Sequence, residues 1–158
     1  YFCFCRGPVV GACLQAIHGA RQRTKFRIAC EQAPTLNPPM HKITLAEKFS
    51  KFTAHWSPKI VAELNRQHVK LVKFQGPFVW HSHENEDEMF FVVRGSFRME
   101  FRDRHVDLAA GEMLVVPRGV EHRPVAEQEV EVMLFEPAAT VNTGTAGGER
   151  TVAKPDWI

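Results

Sequence analysis

The sequence predicts an all-β domain, a sandwich or barrel of short strands preceded by one short helix. Between residues 59 and 135 the apolar side chains recur with a period near two, which is typical of strands. Glycine, proline and charged turn residues separate these runs at roughly 8–12 residue intervals, the spacing found in sandwiches and barrels. Residues 40–158 number 119, which is enough for one hydrophobic core and too few for two.

The one predicted helix lies at the start of this domain. Leu45, Phe49 and Phe52 recur at positions i, i+4 and i+7, which places them on one face of a helix. Lys48 and Lys51 then point outward. We interpret this segment as a packing element with no part in the chemistry.

Eight strands are predicted after the helix. In chain order they are Lys59–Leu64, Val69–Phe74, Phe78–His83, Met89–Val93, Phe97–Phe101, Val106–Leu108, Met113–Val116 and Val130–Phe135. Phe97, Met99 and Phe101 alternate with charged residues, the pattern of a strand with one face in water. In contrast, Met89–Val93 is apolar on both faces, so its outer side should contact a second sheet or another subunit. Because an edge strand also needs cover, we expect a homodimer.

A metal site is predicted where the third strand passes into the fourth. His81 and His83 stand at positions i and i+2 of a strand, so their side chains project from the same face. Glu88 follows a polar turn and should begin the next strand, facing the same interior. Two imidazoles and a carboxylate are donors that first-row transition metals accept.

A fourth candidate ligand comes from a second motif. Here a strand ends at the turn formed by Pro117, Arg118 and Gly119, and His122 follows three residues after Gly119. Gly111 precedes the strand. Both glycines stand at turns, where a positive φ angle costs glycine little.

These two motifs resemble those of the cupins. The first runs Gly76, four residues, His81-Ser82-His83, four residues, Glu88, six residues and Gly95, and the second runs Gly111, five residues, Pro117, Gly119, two residues and His122. Fifteen residues separate the two motifs, which is the minimal spacing in small bacterial cupins. The chain departs from the family pattern twice, because the first gap is one residue short and Ala126 stands where Asn is usual.

The resemblance implies a double-stranded β-helix jelly roll that holds one divalent transition metal per subunit. It assigns the metal to His81, His83, Glu88 and His122, and neither departure falls on one of these ligands. Three imidazoles and one carboxylate accept Fe, Mn, Zn or Ni, so the identity of the metal stays open. Dimerisation through strands is also a habit of the family.

Four protein ligands leave positions open on a six-coordinate metal, where a substrate or dioxygen can bind. We therefore expect a metal-dependent enzyme of the dioxygenase, isomerase or lyase type that acts on a small organic molecule. Mannose-6-phosphate-isomerase-like cupins are similar, but only in the cupin core, since the sequence has no glycine-rich phosphate loop. Cupin sugar epimerases and thiol dioxygenases use a tyrosine, and the only tyrosine here is Tyr1. The alternative is a non-catalytic module that binds or senses a metal or a small ligand.

The sequence identifies no catalytic acid or base beyond the metal site. Arg118 and Arg123 flank the loop expected at the barrel mouth and are candidates for holding an anionic substrate, because a guanidinium can donate two parallel hydrogen bonds to an anion. Surface arginines are common, so a solvated role is an open alternative for both. We interpret Glu84, Glu86 and Asp87 as a solvated turn.

Residues 1–39 differ in composition from the rest of the chain. They contain all four cysteines, and residues 1–30 carry five basic residues and no acidic one. The first methionine is Met40, directly after a proline-rich run. A targeting segment would be basic and also rich in serine, yet the first serine is Ser50. We therefore favour upstream or leader sequence outside the domain for residues 1–39.

Residues 40–158 are then expected to form a single cupin domain. This segment has no cysteine and holds 15 basic and 17 acidic residues, so the basic character of the chain does not extend to it. With no basic recognition stripe left and no apolar run near about 18 residues, we expect neither a nucleic-acid nor a membrane partner. The expected partner is a small-molecule ligand or substrate, and the expected location is the cytoplasm.

Overall fold

A computed structural model describes residues 41–158 of the chain. The predictions made for residues 1–39, including the leader segment and the four cysteines, lie outside the described residues. The elements are α1 Leu45–Phe49, β1 Lys59–Leu64, β2 Gln67–Pro77, β3 Glu88–Arg94, β4 Ser96–Phe101, β5 His105–Ala109, β6 Met113–Val116, β7 His122–Pro137 and β8 Asp156–Trp157.

Strand β7 is the centre of the strand network. Along one edge it pairs antiparallel with β2, from Gln67 opposite Pro137 to Pro77 opposite Val125. Along the other edge its first residues pair with β4 and its later residues pair with β3. The strand order is β5-β4-β7-β2-β1-β8, with β6 joined to β3. Because one edge of β7 serves two different strands, the sheet divides and curls, and the predicted all-β jelly roll is confirmed.

The core fills the interior of this roll. Phe74 and Phe97 meet edge to face with ring centroids 5.5 Å apart, and Trp56 stacks on Phe74 at 4.5 Å and on Phe78 at 4.7 Å. The side chains of Val92, Met99 and Val132 are also fully buried, and each such side chain contributes about 1.5–3 kcal/mol by leaving water.

The predicted helix is present as α1 and covers a second, smaller apolar cluster. Phe49 is 1% exposed and packs with Phe52, Val61 and Leu71. The helix ends at Phe49, and the Oγ of Ser50 donates a hydrogen bond to the carbonyl of Glu47. The helix is therefore a packing element on the outer side of β1 and β2, as the apolar spacing indicated.

The structure differs from the sequence prediction at residues 78–83, which do not form a strand. Only His81 pairs, through an isolated bridge to His122. Two neighbouring carbonyls accept hydrogen bonds from other loops instead, that of Ser82 from Thr145 N–H at 3.0 Å and that of His83 from Gly119 N–H at 2.6 Å. The backbone of this segment is held partly by β7, through the His81 bridge and the Phe78 N–H that donates to the Pro124 carbonyl at 2.9 Å, and partly by loops. A continuous strand was therefore not needed to hold the histidines.

The prediction for β7 was too short at its N-terminal end. We expected a strand from Val130, whereas β7 begins eight residues earlier, at His122. Residues 127–129 are exposed on both faces, and this polar run hides the alternation that marks a strand. This matters for the site, because His122 is the first residue of β7 and is already held by regular pairing with Phe101 of β4.

Strand β3 has one fully buried face and one half-buried face. Phe90 and Val92 point inward at 2% and 0% exposure, whereas Met89, Phe91 and Val93 are half-buried on the outer side. The expectation that β3 would be apolar on both sides holds. Among residues 41–158 no helix has the length and apolar character that crossing a membrane requires.

Candidate metal centre

The four side chains predicted as metal ligands come together at one end of the roll. His81 lies on the isolated bridge, His83 in the loop after it, Glu88 at the first residue of β3 and His122 at the first residue of β7. All four are buried, at 1–4% exposure. One ligand atom of each lies within 4.8 Å of those of the others, so the group could hold a metal ion.

Backbone hydrogen bonds between the two sequence motifs hold this arrangement. The N–H groups of His81 and His122 each donate to the carbonyl of the other residue, at 3.1 and 2.9 Å. The turn after Pro117 is closed by a bond from Val120 N–H, and Gly119 in that turn has a φ of 76°. This left-handed angle suits glycine, and it lets the Gly119 N–H reach the His83 carbonyl. The second motif therefore fixes the first.

A loop after β7 covers the outer side of His83. Gly144 in this loop has a φ of 45°, and a Cβ atom there would lie 2.1 Å from the carbonyl oxygen of Ser82 and 3.1 Å from Nδ1 of His83. No side chain fits at such a distance. The neighbouring Thr145 N–H donates to the same Ser82 carbonyl, so the loop packs directly against the ligand segment.

Two of the imidazoles are oriented by backbone carbonyls. Nδ1 of His81 lies 3.0 Å from the carbonyl oxygen of Val79, and Nδ1 of His122 lies 2.9 Å from that of Val120. A carbonyl can only accept, so in both rings Nδ1 carries the hydrogen and Nε2 presents a lone pair. This is the arrangement that metal-binding histidines commonly have.

The remaining atoms of the cluster fit a cation. Nε2 of His83, Nε2 of His122 and Oε2 of Glu88 are buried without a hydrogen-bond partner. The two Nε2 atoms lie 3.3 and 3.5 Å from Oε2 of Glu88. Leaving a buried polar group unpaired costs about 1–3 kcal/mol, and a bound cation would satisfy all three atoms at once. Three nitrogens and one oxygen form a donor set for a divalent transition metal.

The charges in the cluster also suit metal binding. Burial raises the pKa of Glu88, but the nearby imidazoles of His122 and His83 outweigh burial and lower this pKa to about 2. Burial, reinforced by the neighbouring His122, lowers the pKa of His81 to about 4. At neutral pH the site thus presents an ionised carboxylate and a neutral His81 imidazole, the forms that coordinate metals.

The structure adds two residues to the site that the sequence analysis missed. Glu136 and Lys70 are each 1% exposed, and their charged atoms lie 2.8 Å apart inside the roll. Glu136 adjoins Glu88 across the pairing of β3 with β7, and burial together with Glu88 raises the pKa of Glu136 to about 8. The two-residue period of a strand could have identified them. Lys70 lies on the same strand face as the buried Val72, and Glu136 lies on the same face as the buried Leu134.

A small cavity adjoins the cluster. It encloses about 20 Å³, room for about one water molecule. His81, Glu88 and Asn142 are its polar neighbours, and the remaining walls are apolar, formed by Trp56, Pro58, Val72, Phe74, Phe78, Phe90, Pro124 and Leu134. The Asn142 side chain is held by the carbonyl of Arg150 and the N–H of Val152. The loop that covers His83 therefore also closes one side of this cavity.

The two arginines predicted at the mouth have carboxylate partners. The Arg123 guanidinium donates to Glu100 at 2.9 Å and lies over the ring of Trp80, with 4.9 Å from Cζ to the ring centroid. The Arg118 Nε atom lies 3.4 Å from Asp87, which also accepts a hydrogen bond from the Arg118 backbone. Neither is among the described residues that line the cavity.

Known proteins resemble this chain over the segment that contains the four candidate ligands. A family model described as a cupin domain matches residues 69–136. The crystal structure of a cupin-2 domain containing protein from Shewanella frigidimarina is 49% identical, covers 60% of this chain and 93% of its own, and has a TM-score of 0.60. A protein from Neisseria meningitidis is 32% identical over 61% of this chain and 99% of its own, with a TM-score of 0.58.

A curated relative matches over a shorter stretch. The uncharacterised protein YdbB of Bacillus subtilis is 36% identical over 64 residues, which is 40% of this chain. The match spans 57% of the length of that relative.

Proposed function

Because the chain belongs to the cupin superfamily, we propose that His81, His83, Glu88 and His122 bind one divalent transition metal per subunit and that the metal serves a reaction on a small organic molecule. The observation that carries this proposal is the convergence of buried ligand atoms without hydrogen-bond partners. A structural role alone would not place three such atoms around one point, because each loses its hydrogen bonds to water there.

A bound divalent transition metal supplies Lewis acidity or redox chemistry. The chain contributes the setting. Two imidazoles are oriented through their Nδ1 hydrogens, Glu88 supplies negative charge, and the apolar walls near Phe78 and Phe90 exclude water. Such walls favour an apolar or weakly polar part of a substrate next to the centre. We place the reaction among the dioxygenase, isomerase and lyase types, with Fe, Mn, Zn or Ni as the metal.

Arg118 and Arg123 stay proposals for contact with an anionic group of the substrate. Each would have to exchange its present carboxylate partner, Asp87 or Glu100, for the substrate anion. Such an exchange replaces one charge-assisted hydrogen bond with another. We therefore expect replacement of either arginine by alanine to alter substrate affinity more than metal content.

We also propose a cytoplasmic homodimer. The support is the outer face of β3 and β6, which continues across the strand pairing from Met89 to Val115 and from Phe91 to Met113. Met113 is 63% and Val115 is 50% exposed, and β6 pairs with β3 alone among the described strands. Apolar side chains on an edge strand favour association with another chain.

The metal proposal is tested by the metal content of the purified protein. The full chain is purified with and without oxygen, and metals are measured by mass spectrometry alongside a His83→Ala variant and a His105→Ala control on the exposed face of β5. We expect about one metal per chain in the wild type and the control, and loss of stoichiometric metal in His83→Ala. A wild type without metal under both conditions would refute the proposal.

A non-catalytic binding or sensing module is the second candidate. The small cavity favours it, since about 20 Å³ beside the cluster admits a water molecule but no organic substrate unless the covering loop moves. Turnover measurements on the metal-loaded protein with candidate small molecules, combined with binding measurements by calorimetry, separate the two. Binding without turnover supports the module, and turnover lost in His83→Ala supports the enzyme.

A further inference from the structure

Lys70 and Glu136 form a contact that the stability of the fold does not explain. Both side chains are 1% exposed, with Nζ of Lys70 2.8 Å from Oε1 of Glu136 and 3.1 Å from the carbonyl oxygen of Thr140. Moving two ionisable groups out of water is costly, and well-packed apolar residues in their place are often neutral or stabilising. A buried pair of this kind calls for another role.

The strand register places this pair beside the metal centre. Met89 of β3 lies opposite Phe135 of β7, so Glu88 and Glu136 are the next positions along the two strands. Both are buried, on the same inward face as Phe90 and Leu134. Directly opposite side chains have Cβ atoms about 4.5–5.5 Å apart, so the register places the Glu136 side chain beside that of Glu88.

The contacts therefore form a continuous series from the protein scaffold to the ligand cluster. The Thr140 carbonyl accepts from Lys70, and Lys70 contacts Glu136. Glu136 lies opposite Glu88 on the neighbouring strand, and Oε2 of Glu88 faces His83 and His122. Each contact restricts the rotamer of the side chain that follows it.

We propose that Glu136, held by Lys70, is a positioning residue that fixes the Glu88 carboxylate toward the imidazoles and thereby sets the affinity of the metal centre. The inference rests on the proposed metal site. Outer partners of metal ligands orient those ligands, and their loss typically lowers metal affinity by about 10–100-fold.

The test compares three variants of the full chain. In the double variant Lys70→Met/Glu136→Leu, both members of the buried pair are replaced by apolar side chains of similar volume. In Glu136→Gln, an amide that can donate a hydrogen bond to Glu88 takes the place of the carboxyl group. Glu131→Gln is the matched control, because Glu131 is also on β7 and 8% exposed but pairs with Arg94 on the opposite face. Zn²⁺ affinity is measured by competition with a chromophoric chelator.

We expect the double variant to bind Zn²⁺ about 10–100-fold more weakly than the wild type, and Glu136→Gln to lose less than the double variant. The Glu131→Gln control should bind as the wild type does. Thermal unfolding of the metal-free proteins supplies a readout independent of the metal, and there the double variant should be at least as stable as the wild type. Wild-type affinity in the folded double variant would overturn the inference.

If the double variant does not fold, Lys70→Met alone decides the question. Removal of the ammonium frees Glu136, so the visible spectrum of the Co²⁺-loaded variant should change along with a several-fold loss of Zn²⁺ affinity. An unchanged Co²⁺ spectrum and affinity would contradict the positioning role. A wild type that takes up no metal refutes the metal site itself, whereas equal affinity in wild type and variants refutes only the inference about Glu136.

Discussion

The two faces of β3 have opposite surroundings although their residues alternate along one short strand. On the inner face, Glu88 and Phe90 are buried among the ligand cluster and the aromatic core. On the outer face, Met89 and Phe91 are half-buried and lead to the exposed Met113 of β6. The difference teaches that a single strand can contribute to a candidate metal site on one face and to a partly exposed apolar surface on the other, with alternate residues on each.

The largest effect on the inner face is expected from His122→Ala, which removes one of the four candidate metal ligands. His122 is 1% exposed and its Nε2 atom lies 3.5 Å from Glu88. Removal of one of four ligands should lower the affinity for a divalent metal by more than about 100-fold, beyond the loss expected for an outer partner. Equilibrium competition with a chelator measures this. Retained stoichiometric metal at wild-type affinity would exclude His122 as a ligand.

The comparison of Phe90→Ala with Phe91→Ala separates the two faces by stability. Phe90 is 2% exposed and its ring lies 6.5 Å from Phe74 and 6.2 Å from Phe97, so its removal should cost about 3–5 kcal/mol. Phe91 is half-buried and should cost less than half as much. Urea unfolding of the metal-free proteins measures both. Equal losses would show that the outer face is packed as tightly as the core.

Burial of His81 makes the stability of the metal-free protein depend on pH. The pKa of His81 is lowered from 6.5 to about 4 by burial and by His122, so between these values this residue binds more protons in the unfolded chain than in the folded one. The contribution of His81 to stability therefore falls as the pH falls, by about 2 kcal/mol between pH 7.5 and pH 5. Glu136 acts in the opposite direction, because its pKa is raised to about 8 by burial and by Glu88. Urea unfolding in the presence of a chelator isolates the His81 contribution, since the unfolding free energy of the wild type relative to that of His81→Asn should fall by about 2 kcal/mol over this range.

Met113→Lys tests whether the outer face of β3 and β6 forms the proposed dimer interface. Of the substitutions considered, it should change the stability of the subunit least. Met113 is 63% exposed, so the substitution should alter the unfolding free energy of the subunit by no more than about 0.5 kcal/mol. It should leave metal content unchanged but convert a dimer to a monomer in sedimentation measurements. Leu64→Lys, at a 54% exposed position on β1, is the matched control and should keep the dimer. Dimers in both variants would place the interface elsewhere.

Much of the fold could be predicted from the sequence because strand alternation is a local signal. The bounds of β1 and β6 agree with the structure at both ends, and β4 differs by one residue. The start of β7 could not be found, because residues 127–129 are exposed on both faces and carry no alternation. Residues 78–83 show the converse, since a strand was predicted there while the backbone makes only separate hydrogen bonds to β7 and to loops.

The candidate site was also predicted only in part. The spacing of two motifs and their resemblance to those of the cupins singled out His81, His83, Glu88 and His122, and the structure brings all four together. The position of Glu136 beside Glu88 depends on the pairing of β3 with β7, a relation between segments almost fifty residues apart that no local pattern encodes. The sequence motifs thus identify the candidate ligands, whereas their surroundings follow only from the closed fold.

The pairing of β7 has a consequence for how the protein folds. A straight strand would separate its first residue and Glu136 by about 46 Å at roughly 3.3 Å per residue. Yet Nε2 of His122 lies 3.5 Å from Glu88 and Glu136 lies opposite Glu88 on the neighbouring strand, so β7 bends through the roll until both ends approach the same residue. The ligand set is therefore complete only after the barrel has closed, because the loop-closure entropy between these distant segments must first be overcome. Metal uptake during refolding would then report barrel closure and follow the formation of local hairpins such as β4–β5.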